Sequence, residues 1–153
     1  MSQLSFRPAR REDFAFCERL YFEGMGDIIR QLGLDMARER ESFPQHWQVE
    51  NTEVRIIMLG AEDIGWLKTW PTDDAIFLGE LYVVGRLQRR GIGSHVLRAL
   101  IDEAEGAQKA VVLEVVKINP ARRLYERFGF TARGEGEYTI FMRRDFEGVD
   151  LNG

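Results

Sequence analysis

Apolar residues recur along the first third of the chain with a helical period, and along much of the remainder with the period of strands. Leu4 to Arg7 reads as a short first strand that Pro8 stops. From about Asp13, the residues Phe14, Cys17, Leu20 and Tyr21 fall at i, i+3, i+6 and i+7, the stripe of an amphipathic helix, which Gly24 and Gly26 are expected to break. A second helical stretch carries Ile28, Ile29 and Leu32, bends near Gly33 and continues through Met36 towards Phe43, ahead of Pro44. The period then changes. Val54–Leu59 and Ile64–Trp70 are β-branched or aromatic runs around Gly60-Ala61-Glu62-Asp63, a hairpin signal. Pro71-Thr72-Asp73-Asp74 is a second turn, leading into a third antiparallel strand over Ala75–Val84. Gly91–Glu105 places Ile92, Val96, Leu97, Leu100, Ile101 and Ala104 on one helix face. Val111–Val116, interrupted only by Glu114, has the pattern of a central strand. Asn119 is placed to N-cap a short helix with Pro120 at its first position, and Gly129 to end it. Strands near Phe130–Arg133 and Tyr138–Arg143 complete the order β-α-α-β-β-β-α-β-α-β-β. That order predicts an α/β mixed sheet with one strand–helix–strand crossover.

A length of 153 residues with 44% hydrophobic and 30% charged residues fits one globular domain, expected over residues 1–147, with a frayed tail at 148–153. No apolar run approaches the ~18 residues of a spanning helix, so no membrane partner is expected. The N-terminus lacks the apolar stretch of a signal peptide, and a cytoplasmic protein is the expectation. A single cysteine, Cys17, forms no internal disulfide and no multi-cysteine zinc site; on an apolar helix face it reads as core rather than as a nucleophile. With two histidines, His46 and His95, a metal site would depend on carboxylates, and none is expected. His46 reads as a surface loop residue and His95 as facing solvent or a phosphate. Lys plus Arg number 21 against 25 Asp plus Glu, a net charge of −4 that argues against nucleic acid as main partner while allowing a local anion site.

Such a site is suggested by Gln88-Arg89-Arg90-Gly91-Ile92-Gly93-Ser94, between a strand and an amphipathic helix. Glycines let the backbone curl so that several N–H groups converge at the helix N-terminus, where the dipole also favours an anion. Arg89 and Arg90 add charge-assisted donors and Ser94 a hydroxyl. A dinucleotide fingerprint would require a third glycine where Val96 stands, and a P-loop would require Lys where Gly93 stands. By period-2 alternation, Glu80 shares a face with Tyr82 and Val84, opposite Leu81 and Val83, unless a bulge intervenes. Glu80 and Glu114 each interrupt an apolar strand, where a carboxylate is costly unless used.

Downstream, Asn119-Pro120-Ala121-Arg122-Arg123-Leu124-Tyr125-Glu126-Arg127-Phe128-Gly129-Phe130 follows the next strand. Together with the turn, with Leu81-Tyr82-Val83 before it, and with the opening Phe6-Arg7-Pro8-Ala9, this resembles the GNAT superfamily of acyl-CoA-dependent N-acetyltransferases over nearly the whole chain. The spacing from Asn119 to Tyr125 is one residue shorter than in many members. The resemblance implies a mixed, mostly antiparallel sheet with splayed fourth and fifth strands and helices on both faces. It implies acetyl-CoA as co-substrate, its pyrophosphate on Arg89, Arg90, Gly91, Ile92, Gly93 and Ser94, with Asn119 as a further contact. It implies pairing of the pantetheine arm with the backbone of Leu81 and Val83, and a strand amide as the oxyanion donor. Tyr125 becomes the expected general acid towards the departing sulfur, and Glu80 or Glu114 the expected base. The partners implied are acetyl-CoA and an amine acceptor, which the residues leave open among small amines, amino acids, antibiotics and protein amines; a homodimer is also left open. Tyr21, Phe22, Met25, Trp47, Trp66 and Trp70 read first as core. The alternative is a non-catalytic CoA-binding regulatory module.

Overall fold

The computed structural model describes residues 3–147, so the expected frayed tail lies outside the described residues. The elements are β1 (Leu4–Pro8), α1 (Phe14–Gln31), α2 (Met36–Trp47), β2 (Glu53–Leu59), β3 (Glu62–Pro71), β4 (Ala75–Val83), α3 (Ile92–Gly106), β5 (Ala110–Val116), α4 (Arg122–Arg127), β6 (Thr131–Glu135) and β7 (Thr139–Arg144). Single 3-10 turns at Arg11–Asp13 and Gly85–Leu87 precede α1 and α3. The strands follow the order β1-β2-β3-β4-β5-β7-β6. This is the mixed, mostly antiparallel α/β sheet that the element order predicts, with β4–β5 as its parallel pair. The chain forms two compact units, Met1–Thr69 with Glu80–Gly93, and Trp70–Gly79 with Ser94–Gly153. Among the described residues no helix is long and apolar enough to cross a membrane.

In the first unit, α1 runs straight through Gly24 and Gly26, which do not break it. A Cβ on Gly24 would stand 2.9 Å from Tyr82 Cδ1, so close packing outweighs the roughly 1 kcal/mol that a helical glycine costs. The helix ends instead at Gly33, whose φ of +70° lets the chain turn away. Ile28 and Ile29 thus belong to α1, and α2 starts afresh behind Asp35, whose Oδ1 accepts from Ala37 N at 3.0 Å. Pro44 lies inside α2 rather than beyond its end. An interior proline costs about 3 kcal/mol, but Phe43 and Trp47 are both buried, and each large apolar side chain gains roughly 1.5–3 kcal/mol by burial. The last turn is held by its aromatics. Phe43 and Trp47 join Cys17, Leu20, Phe22, Ile29, Val54, Ile56 and Trp66 in one core.

Arg7 fastens β1 to this unit. Its guanidinium donates to both carboxylate oxygens of Asp13 (2.9 Å each) and to Asp63 Oδ2 (3.0 Å), while Asp13 also accepts from Arg10 N at 2.7 Å. These bonds to a buried carboxylate hold Asp13 below the usual carboxylate range, the Arg7 hydrogen bonds being the largest cause. A folded-state value below the unfolded one gives stability that is fully present above about pH 4, the unfolded aspartate value, and is lost as pH falls through the folded value. Asp13→Asn is expected to lower the melting temperature at pH 7 and to flatten the acid limb of stability, measured by thermal melts between pH 7 and 3.

Two irregularities shape the β3 region. Ile57 pairs with Gly65 but Met58 with Asp63, so Ile64 is an extra residue in β3. On its other edge, Ile64 O accepts from Val84 N (2.8 Å), whereas Thr72 N donates to Ala75 O (2.8 Å). From Ile64 to Thr72 the chain advances one residue fewer than from Ala75 to Val84, so β4 carries a bulge. At Gly65 the backbone of β4 comes so close that a Cβ would collide with Tyr82 O.

In the second unit, Ala75–Leu78 of β4 pair in parallel with Ala110–Leu113 of β5, and the ladder stops there. β5 continues to Val116 paired with β7, Glu114 lying opposite Phe141. Val96, Leu97, Leu100, Ile101 and Ala104 of α3 are buried as their periodicity predicts. Arg144 of β7 donates through Nε to Phe128 O (2.9 Å) and through a terminal nitrogen to Glu105 (2.9 Å), fixing the end of α4.

Candidate active site

β4 leads into the glycine-rich turn through a tight sequence of bonds. Leu87 N donates to Val84 O (3.0 Å), Gln88 N to Gly85 O (3.2 Å), and the Gln88 side chain returns to Val83 O (3.0 Å). Leu87 is buried and anchors the turn, while Arg86 pairs with Glu62 of β3. Arg89 and Gly91 adopt left-handed φ angles of +66° and +80°, the alternation that makes successive N–H groups converge into an anion-binding concavity. α3 begins at Ile92, so the N–H groups of Gly91, Ile92, Gly93 and Ser94 have no partner within the helix. Arg89, Arg90 and Gly91 are exposed; Ile92, Gly93 and Ser94 are partly so. This turn fits a phosphate or pyrophosphate group. A Cβ on Gly91 would meet no atom within 4 Å, so the glycine is required for its backbone conformation and not for space.

Immediately before the turn, Leu81 and Val83 are half-buried, and Tyr82 donates its hydroxyl to Glu80 Oε2 at 2.6 Å, in keeping with their shared face. Burial pushes the Glu80 carboxyl up to about 7, against the opposing pull of the Tyr82 hydrogen bond and the Lys68 charge. Tyr82 packs on Trp66 (ring centroids 5.4 Å apart) and on Tyr21 (5.6 Å). Burial, together with the charges of Glu80 and Glu39, pushes the Tyr21 hydroxyl up to about 12. Burial likewise pushes the Cys17 thiol up to about 12, which leaves it a poor nucleophile. His46 is exposed as expected, but it lies in the last turn of α2 and not in a loop.

The second unit holds the remaining sequence-derived residues. Glu114 is exposed and accepts from Thr139 Oγ1 at 2.6 Å, so the cost of burying a carboxylate, which drew attention to both glutamates, applies to Glu80 alone. Asn119 does not cap α4 directly. Its Oδ1 accepts from Ala121 N (2.9 Å), an Asx turn ahead of a helix that starts at Arg122. Tyr125 is half-buried on α4, its ring edge-on to Phe130 at 5.8 Å, and its carbonyl accepts from Phe128 N (3.0 Å) and Phe130 N (3.2 Å). Gly129, at φ +90°, closes the helix as expected. His95 is exposed in the first turn of α3. Trp70 stacks on Phe77 at 4.4 Å. The structure therefore groups Glu80, Leu81, Val83 and the turn as far as Gly93 in one unit, and Ser94, Glu114, Asn119 and Tyr125 in the other. One residue escaped the sequence reading: Lys68, buried in β3. Its signal is a lone cation inside the apolar run Ile64–Trp70.

The Acetyltransferase (GNAT) family model matches residues 15–130. The chain belongs to this family of acetyltransferases. Among relatives, it is 32% identical over 127 residues to phosphinothricin N-acetyltransferase of Streptomyces viridochromogenes, a match covering 74% of this chain and 66% of that enzyme. It is 36% identical over 75 residues to mycothiol acetyltransferase of Corynebacterium aurimucosum, covering 46% of this chain and 24% of that protein. The chain thus spans just under two thirds of the first relative and about a quarter of the second. In fold it is similar to the PaiA N-acetyltransferase of Thermoplasma acidophilum, solved in complex with coenzyme A, with a TM-score of 0.72 at 13% identity over 94% of this chain and 99% of that one.

Proposed function

We propose that this chain transfers an acetyl group from acetyl-CoA to a primary amine by direct attack, as a single catalytic domain over residues 1–147. The observation that carries the reading is Glu80: a carboxyl held at about 7 by burial, on the strand that runs into the anion-binding turn. A module that only binds CoA has no use for a base poised there. The turn from Arg89 to Ser94 and the side chain of Asn119 would hold the cofactor's anionic end, and the backbone of Leu81 and Val83 its pantetheine arm. Acetyl-CoA supplies the activated thioester. Glu80, rather than Glu114, takes the proton from the attacking amine; an amide of the Leu81–Val83 segment donates to the thioester oxygen; Tyr125 gives its proton to the departing sulfur. The acceptor is an amine of a small molecule or of a peptide. The phosphinothricin acetyltransferase relative makes phosphinothricin the first acceptor to assay.

The test is thiol release from acetyl-CoA with phosphinothricin, free amino acids, peptide N-termini and lysine peptides as acceptors. Amine-dependent release supports the reading; tight CoA binding with no release for any amine would leave a binding module. Gly91→Glu is expected to abolish CoA binding by calorimetry with the fold retained by circular dichroism. It forces a side chain onto φ +80° and places a carboxylate in the anion nest. Unchanged affinity would remove the turn from the site.

A further inference from the structure

Lys68 is a charged side chain buried among aromatics, only 8% exposed. A buried ammonium is expensive unless it is paired and hydrogen-bonded, so its partners say what it is for. One partner is the carbonyl oxygen of His46, in the last turn of α2, to which Nζ donates. A cation there meets the negative end of the helix dipole. The other is set by strand register. Val84 N donates to Ile64 O, which places Trp66 opposite Tyr82; Lys68 follows Trp66 on the same face of β3, Glu80 shares the face of Tyr82 on β4, and the Lys68 charge acts on the Glu80 carboxyl. The Trp66–Tyr82 ring contact at 5.4 Å agrees with that register. The Tyr82 hydroxyl holds the Glu80 carboxylate from the neighbouring position.

We propose that Lys68 is a positioning residue for the transfer reaction: fixed by the end of α2, it holds the Glu80 carboxylate ionised and oriented to accept the proton of the incoming amine. This rests on the reading of Glu80 as base. Among the described residues, the titratable and charged groups that bear on Glu80 are Tyr82 on its own strand, Lys68 on β3 and Tyr21 on α1, which also feels Glu39 of α2. Lys68 is the one cation of that set, so it alone favours the charged carboxylate by Coulomb attraction. Each of the two groups draws the other towards its charged form, while burial works against both.

The experiment uses the full chain with Lys68→Met and Lys68→Gln. Methionine keeps the length of the side chain and loses both charge and donor; glutamine loses the charge and retains a donor for the His46 carbonyl. Two quantities are read: the Glu80 titration midpoint, from the carboxyl resonance of ¹³C-glutamate-labelled protein assigned by Glu80→Gln, and the acidic limb of kcat/KM for acetyl transfer. Removing a cation raises a carboxyl midpoint, so both variants are expected to move the midpoint and the acidic limb upward together by about one pH unit or more, with rate recovering at higher pH. Were Lys68 merely structural, its replacement would lower activity without moving the pH profile, which would overturn the proposed role. An unmoved Glu80 midpoint in both folded variants overturns the role of Lys68 and leaves the base assignment standing. A midpoint that moves while the pH–rate profile stays fixed overturns both the role in the reaction and Glu80 as base. Should Lys68→Met fail to fold, Lys68→Gln gives the same readings.

Discussion

Tyr125→Phe is expected to lower kcat by ~10²–10⁴-fold, the usual cost of losing a positioned general acid, with the KM for acetyl-CoA little changed. The substitution keeps the ring, and with it the edge-on contact to Phe130, and the backbone bonds by which the Tyr125 carbonyl closes α4 are untouched. Thermal melts of the variant beside the parent separate loss of chemistry from loss of fold. A phenol with a reference pKa of about 10 is protonated at neutral pH and can deliver its proton as charge develops on sulfur. Raising the pH does not restore that donor, so the defect should persist in alkaline buffer. Steady-state kinetics from pH 6 to 9 check it. A kcat within about threefold of the parent, well short of the acid–base range, would make Tyr125 a packing residue and require another donor.

The second large effect is on stability. Gly65→Ala is expected to destabilise the protein by about 3 kcal/mol, the upper part of the range for overpacking, and to lower the melting temperature by roughly 6–12 °C. The added Cβ collides with the Tyr82 carbonyl and lies 3.2 Å from Ile57 Cδ1 and Val83 Cα, and backbone cannot step aside as a flexible side chain can. β3 and β4 must part at Tyr82–Val83, the segment proposed to pair with the pantetheine arm. Weaker acetyl-CoA binding should therefore accompany the loss of stability. Thermal melts and calorimetry on the same preparation test this. A variant with an unchanged melting temperature would mean that the two strands can separate there without cost.

Much of this protein is written in local pattern. Helix and strand periods depend on residues a few positions apart, so the order of elements, the buried face of α3 and the αL glycine at Gly129 follow from the sequence. The turn from Gln88 to Ser94 was legible for the same reason: glycine, arginine and a helix start are adjacent in the chain. Where local propensity and packing disagree, packing decided. Gly24 and Gly26 stay helical inside α1, whose Leu20, Phe22, Ile28 and Ile29 are buried on either side of them, and Pro44 stays helical because Phe43 and Trp47 bury on either side of it. The two strand glutamates look alike in sequence, each a carboxylate in an apolar run. The structure exposes Glu114 beside Thr139, whereas Glu80 is half-buried beside Tyr82, its carboxyl desolvated and subject to the Lys68 charge. That distinction depends on which elements cover a strand face and on a register set by bulges in β3 and β4. One inserted residue moves every later side chain to the other face, and no local pattern records it. The sequence by itself determined the elements, the family and the anion-binding turn; only tertiary packing decided which carboxylate loses its water and meets a buried cation, because desolvation and cross-strand charge are properties of neighbours distant in the chain.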